Sequence, residues 1–488
     1  MKKLHWYDFI TINIFWLGLN VSTGTITPVL LPYLVAMFVP DAMKNSGLAT
    51  VRVIGLALAM LVQPMAGILS DRNTSPWGRR RPYIFGGVLF NLVFLLIVGI
   101  SPALLGSSSD EFFLETFGFN TAFIMLMSGI VLLQISSNTT QAATQGLIPD
   151  LVPEDQRGRA SGVKAVMELL PVFVVIFIGP LVDSGNIWSV IAIVGVVFLI
   201  TMLFTLLFVH EEPLKERPVG SIKEPFFRLA ALTGIFIGAT QAAIWIVKFC
   251  GRLLTQIGTN LNTQIILVGF FGLVGMAGSI FIGVYFGAWV GIGQKAHQYK
   301  PFIWWVVNRL LFLAAVGSIQ GFAQYFLRDV LNVPNAATQT TILLVAVALF
   351  LLPSAIASGY FSDRIGRKRL VAISGIVAAF GSFLLLFAND MHLVIVSGCI
   401  IGLGTGIFMS TNWALGTDLV PKNQAGKFLG ISNIAGAGAG IVGAGIGGPM
   451  ADFFNALQSG LGYLVIITLY GILFLFSTLS LTRVTGVR

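Results

Sequence analysis

Gly67–Pro82 reads GILSDRNTSPWGRRRP, and Gly359–Arg369 reads GYFSDRIGRKR. Each stretch closes a long apolar run with an Asp-Arg pair and then crosses a glycine into a cluster of cations. A short basic turn between two apolar segments has the form of a cytoplasmic loop between membrane helices, because Lys and Arg resist translocation. Cations that only fixed topology would account for one such turn. The recurrence of Ser-Asp-Arg and Gly-Arg in the same order points to two halves of one architecture.

The whole composition agrees. The chain has 488 residues, 56% of them hydrophobic and only 10% charged, whereas a soluble domain carries about a quarter charged residues. The net charge of +9 is carried by cations in short loops between apolar runs rather than by a basic patch interleaved with aromatics, so nucleic acid is not an expected partner. The two cysteines, Cys250 and Cys399, both lie in apolar runs and imply neither a disulfide framework nor a zinc site. The N-terminal stretch MKKLHWYDFITINIFW starts like a signal peptide. Asp8 interrupts it and the apolar run continues to Phe38 without a small-residue cleavage site, so it reads as a retained first helix.

Roughly twenty apolar residues span a bilayer. On that scale fourteen spans are expected, near 9–38, 48–70, 82–105, 120–147, 161–182, 187–209, 227–250, 262–290, 302–327, 338–361, 370–389, 391–417, 427–451 and 461–482. With this count only Lys44, Lys248, Arg252 and Arg328 face the outer side, while Arg52 and Arg309 lie within spans and all other cations gather on one face. That asymmetry makes both termini and both basic turns cytoplasmic. Counting 227–290 as one span would put the second turn outside.

The halves repeat beyond the turns. Asp150-Leu-Val-Pro153 is echoed by Asp418-Leu-Val-Pro421, and Gly179-Pro180-Leu-Val-Asp183 by Gly448-Pro449-Met-Ala-Asp452. The expected organisation is an N-terminal six-helix bundle over 1–210, a linker with two inserted transmembrane helices over 211–300, and a C-terminal six-helix bundle over 301–488. Parallel repeats of this kind hold a ligand at their interface near mid-membrane.

With these residues in view the chain resembles the major facilitator superfamily. Gly67-x-x-x-Asp71-Arg72 followed by Gly78-Arg79-Arg80 is similar to its signature between the second and third spans, with four extra residues before the glycine. Gly359-x-x-x-Asp363-Arg364-Ile-Gly366-Arg367-Lys368 fits without insertion. A narrower likeness, to the sucrose-transporter branch and its glycoside–cation symporter relatives, rests on Val62-Gln63-Pro64-Met-Ala-Gly67, on Gly78-Arg79-Arg80-Arg81-Pro82-Tyr-Ile84 and on Asn138-Thr139-Thr140-Gln141. Where proton-coupled sucrose transporters of that branch carry an acid and an arginine in the fourth span, this chain has Gln134 and Gln145. The inserted pair departs from the twelve-span plan and resembles that of peptide transporters and some drug exporters.

Polar groups inside a span are costly without partners or water, so the faces they occupy are informative. Gln134, Asn138, Gln141 and Gln145 form one stripe of the fourth span, spaced i, i+4, i+7, i+11. Asn13, Asn20, Thr23 and Thr27 do the same in the first span beside Trp16. Arg309, Gln320 and Gln324 share a face of the ninth, and the twelfth offers Thr405, Asn412 and Trp413. The resemblance makes these four spans the lining of a cavity. Amides and hydroxyls suit a polyhydroxyl ligand, and the competing role is to hold helices together. Arg309 could bind an anionic or hydroxylated ligand or pair with a loop acid, while Arg52 is expected to snorkel to the outer surface. Glu168 is the one carboxylate clearly inside a span, with Lys164 one turn earlier, and either carries a coupling proton or forms a structural pair. The glycine run from Gly436 to Gly448 lacks a strand and a P-loop lysine, so it reads as a close-packing helix face rather than a nucleotide loop.

The resulting expectation is an all-α polytopic membrane protein that works by alternating access on a small-molecule substrate, a sugar or glycoside, with a coupling proton or cation. No cofactor, bound metal or enzymatic site is expected, and the protein is expected to act as a monomer in the cell membrane. Asp71, Arg72, Arg79 and Arg80, with Asp363, Arg364 and Arg367, would latch the cytoplasmic side. The alternatives are an exporter of amphipathic compounds and a non-transporting receptor or assembly factor on the same fold.

Overall fold

The computed structural model describes residues 4–214, 221–420 and 425–485, and among them every regular element is helical. Twelve helices among the described residues are long and apolar enough to cross a membrane. Their outward faces carry exposed Phe90, Leu207, Trp245 and Ile356, an apolar surface that water would not tolerate and lipid does. Helices in lipid gain little from burying apolar area against one another, so their association rests on close packing.

Contacts divide the chain into two compact units, Met1–Pro40 with Leu58–Phe227, and Asp41–Ala57 with Arg228–Arg488. In the first unit α1 (Trp6–Thr25) runs through a π-helical turn at Ile26–Leu30 into α2 (Leu31–Phe38). Next come α3 (Lys44–Asp71), whose first half belongs to the second unit, and then α4 (Arg81–Ile100), α5 (Asp110–Phe117) and α6 (Thr121–Leu151). The side chain of Asn120 caps α6 by accepting from the Phe123 N–H at 2.9 Å.

The expected span at 161–182 is not one helix. It comprises α7 (Arg157–Leu169), α8 (Pro171–Val175) and α9 (Ile178–Asp183). Pro171 and Pro180 are the cause: each lacks an N–H and crowds the carbonyl four residues back. The unit ends with α10 (Ile187–Phe208), which packs along α1 with Phe15 against Phe198.

The second unit contains α11 (Lys223–Ile257) from Arg228 onward and α12 (Leu261–Ile292), then α13 (Lys300–Asp329), α14 (Ala336–Ile365), α15 (Arg367–Leu385), α16 (Met391–Leu419), α17 (Ala425–Leu457) and α18 (Leu461–Ser480). The expected span at 427–451 lies in α17, whose first residues have side chains outside the described set. The glycine run of α17 takes α11 closely: a Cβ on Gly438 would stand 2.7 Å from the Phe236 ring. At the centre of this unit Phe312 stacks on Phe408 with centroids 3.7 Å apart, and Phe474 closes on Phe312 edge-on.

Candidate functional site

Both basic turns are built alike. Gly78 and Gly366 hold φ of +105° and +98°, values a side chain disfavours, which explains the glycine in each copy of the motif. In the first unit the buried Arg80 donates from Nε to Asp150 Oδ2 at 2.9 Å and from Nη1 to Ser70 Oγ at 2.6 Å, and also pairs with Asp71. Arg79 Nη2 lies 2.9 Å from the other oxygen of Asp150. Arg72 is half-buried just after α3, its N–H donating to the Leu69 carbonyl. Glu211 caps α4, accepting from the N–H groups of Arg80 and Arg81 at 2.9 and 3.0 Å. Burial pushes its carboxyl above the usual carboxylate range, against the pull of these donors and of Arg80.

In the second unit Arg367 Nη1 donates to Asp418 Oδ1 at 2.7 Å and to the Ala414 carbonyl at 3.2 Å. Arg364 lies over the Tyr360 ring, 5.5 Å from its centroid. The Asp363 side chain lies outside the described residues. Thus each turn closes on the Asp of the Asp-Leu-Val-Pro motif in its own unit. Sequence reasoning recognised that motif as a repeat and missed its acids as partners.

The α6 stripe divides. Asn138 is buried and donates to its own helix, to the Gln134 carbonyl at 2.8 Å and Gln134 Oε1 at 3.2 Å. Gln141 is half-buried and Gln145 exposed. On α1, Asn20 donates to the Trp16 carbonyl and Thr23 to the Leu19 carbonyl, both at 2.9 Å, again within the helix. A groove of about 580 Å³ between α4 and α6, lined by Tyr83, Gly86, Phe90, Leu132, Ile135 and Thr139 among others, opens on the face of α6 opposite the glutamines. Glu168 pairs with Lys164 at 3.2 Å, and the Lys164 ammonium sits 4.2 Å from the centroid of the Trp16 ring.

On α13 and α16 the structure assembles a second polar cluster. Arg309 is half-buried, 5.0 Å from the Trp413 ring and 6.0 Å from that of Trp305, and Nη1 reaches Asn412 Oδ1 at 3.4 Å. Asn412 is fully buried and donates to Asn308 Oδ1 at 2.7 Å, and Asn308 donates to Ser477 Oγ and its carbonyl at 2.8 Å. Trp305 donates to the Asn412 carbonyl at 2.9 Å. Asn308 escaped the sequence reading because it lies off the stripe of Arg309, Gln320 and Gln324, and Ser477 because it stands on α18, whereas Trp305, one turn before Arg309 on the same face, was overlooked. Gln320 is exposed and Gln324 buried.

The second unit also holds the start of α3. Asp452 accepts from the Asn45 N–H at 3.1 Å, Asn45 Nδ2 at 2.9 Å and the Ser46 N–H at 2.7 Å. The buried Lys44 pairs with Asp329 at 2.6 Å, and Tyr463 donates to the same carboxylate at 2.6 Å. Arg52 does not snorkel. It turns inward, donates to the Gly317 carbonyl at 2.9 Å and occupies the space that a side chain on Gly321 would need. Among the described residues no group of His, Cys, Asp and Glu could hold a metal ion.

The sequence profile of the Major Facilitator Superfamily matches residues 17–327 and 306–486. A sucrose transport protein of Arabidopsis thaliana is 38% identical over 114 residues, 22% of this chain and 19% of that protein. A general alpha-glucoside permease of Schizosaccharomyces pombe is 28% identical over 153 residues, 31% of this chain and 26% of the permease. The matched segments therefore span only about a fifth to a quarter of these relatives. Among solved structures a D-xylose-proton symporter superposes with a TM-score of 0.61 at 16% identity, covering 99% of this chain and 98% of the symporter. A peptide transporter in complex with sulfate superposes with a TM-score of 0.65 at 13% identity, covering 99% and 97%. These likenesses establish the fold.

Proposed function

The chain belongs to the Major Facilitator Superfamily, and from that premise we propose that it is a secondary active transporter moving a sugar or glycoside by alternating access, coupled to an ion. One observation carries the reading. Among the described residues the side chain of Gln134 bonds only Asn138 on its own helix, and those of Gln141, Gln145 and Gln320 make no hydrogen bond. Helix glue requires bonds to a neighbouring helix, and an unpartnered amide facing lipid costs several kcal/mol. These amides therefore suit a water-filled cavity in which a ligand's hydroxyls replace the water. The local similarity to sucrose and alpha-glucoside carriers supports the sugar class, and Glu168, held by Lys164, is the proposed coupling carboxylate.

The test is uptake of labelled sucrose and maltose by proteoliposomes of the purified chain, with and without an imposed pH gradient. Gln141→Leu should weaken ligand affinity roughly five- to a hundredfold, the equivalent of about 1–3 kcal/mol for an unmade hydrogen bond, with the melting temperature unchanged. Unchanged affinity with a lowered melting temperature would assign the stripe to helix packing instead.

We also propose the fourteen-span topology, with α7–α9 and α17 as the fifth and thirteenth spans, α11 and α12 as the inserted pair, and both termini cytoplasmic. Single cysteines placed in the loop at 258–260 should react with an impermeant reagent from outside, and cysteines at 294–299 only after permeabilisation. Labelling of both loops from one side removes the inserted pair.

A further inference from the structure

We infer that the cluster around Arg309 is an anion subsite, so that the transported ligand carries a carboxylate or a phosphate on its hydroxylated ring. This deepens the sugar reading above and rests on it. A guanidinium stays protonated in any protein environment, and one withdrawn from water needs an opposite charge. The interior arginines of the two turns have one: Arg79 and Arg80 meet Asp150, and Arg367 meets Asp418. Arg309 does not. Among the described residues no carboxylate lies within ion-pair distance of it, its Nε has no partner, and its one hydrogen bond to Asn412 is long at 3.4 Å.

What surrounds Arg309 is built to hold it in place rather than to neutralise it. The rings of Trp413 and Trp305 offer their faces to the cation, which fixes its plane without supplying net charge. Asn412 is oriented by a relay: its Nδ2 is committed to Asn308, whose own Nδ2 is committed to Ser477. Only Asn412 Oδ1 is left to turn toward Arg309. Among the described residues most of the guanidinium's N–H groups have no partner, and a planar or tetrahedral anion accepts two parallel N–H bonds where a neutral hydroxyl accepts one weaker bond.

The experiment is equilibrium binding to the purified full-length chain, using methyl β-D-glucopyranoside, its uronate, glucose 6-phosphate and cyclohexanecarboxylate as probes. One of the two anionic sugars should bind at least tenfold more tightly than the neutral glucoside, and which one it is separates carboxylate from phosphate. Arg309→Gln should abolish that preference, and Arg309→Lys should keep part of it, since a point charge replaces a fork. The inference is overturned if the neutral and anionic sugars bind alike, if no anionic probe binds, or if the preference survives in Arg309→Gln. If cyclohexanecarboxylate binds as tightly as the uronate in an Arg309-dependent way, the anion subsite stands and the sugar reading falls. A tight neutral glucoside with no anion preference gives the reverse. Should Arg309→Gln fail to fold, the comparison of probes on the unaltered chain still decides.

Discussion

Asp150→Ala is expected to destabilise the protein by about 3 kcal/mol, the lower end of the cost of breaking a buried ion pair from one side. The Arg80 side chain is only 7% exposed and that of Asp150 18%, so the arginine cannot recover in water what it loses. Asp71 and Ser70 still contact it, which keeps the cost from running higher. Arg79 loses its partner as well. The matching change in the other half should behave differently. Arg367 and Asp418 are 29% and 40% exposed, and a pair open to solvent contributes only about 0–1 kcal/mol. Thermal unfolding of Asp150→Ala and Asp418→Ala in detergent, with an Arg80→Ala double-mutant cycle for the first, checks both. Equal melting temperatures would show that burial at the first turn does not set its energetics.

Asp452→Ala should come next in size. Its carboxylate satisfies two main-chain N–H groups at the start of α3 and the Asn45 amide besides. These are buried donors bonded to a charged acceptor, and stranding them costs about 2–3 kcal/mol. Asp452→Asn keeps one acceptor and should recover about half of that loss. Hydrogen exchange reads the effect where it arises: amides from Leu48 to Arg52 should exchange faster in Asp452→Ala, while those of α4 stay as they were. Unaltered protection at the start of α3 would mean that the cap is dispensable.

The all-helical, membrane-spanning character was legible because lipid imposes strict terms, long apolar runs above all, and so was the glycine each basic turn needs at positive φ, as at Gly78 and Gly366. The polar stripes were legible for the same reason, since helical periodicity gathers Gln134, Asn138, Gln141 and Gln145 on one face. Partnership was not legible. Asp150 and Asp418 stood in view as a repeated motif, but only the fold brings them to the arginines of their own turns. Glu211 lies in what reads as linker, and only the chain's path sets it on the first turn of α4. Arg52 went astray because snorkelling assumes open lipid or water at the helix end, whereas this arginine faces the small-residue surface of α13 at Gly317 and Gly321. The break of the expected span at 161–182 was written in Pro171 and Pro180, and apolarity alone concealed it.

That each turn finds its acid within its own half also bears on ancestry. A chain of half this length, with one basic turn and one Asp-Leu-Val-Pro segment, already balances those charges internally. Doubling the gene for such a chain would have demanded no new electrostatic partner at the moment of fusion, and each copy was then free to drift. The unequal burial of the two clamps, tight around Arg80 and open around Arg367, is the kind of divergence that such independence permits.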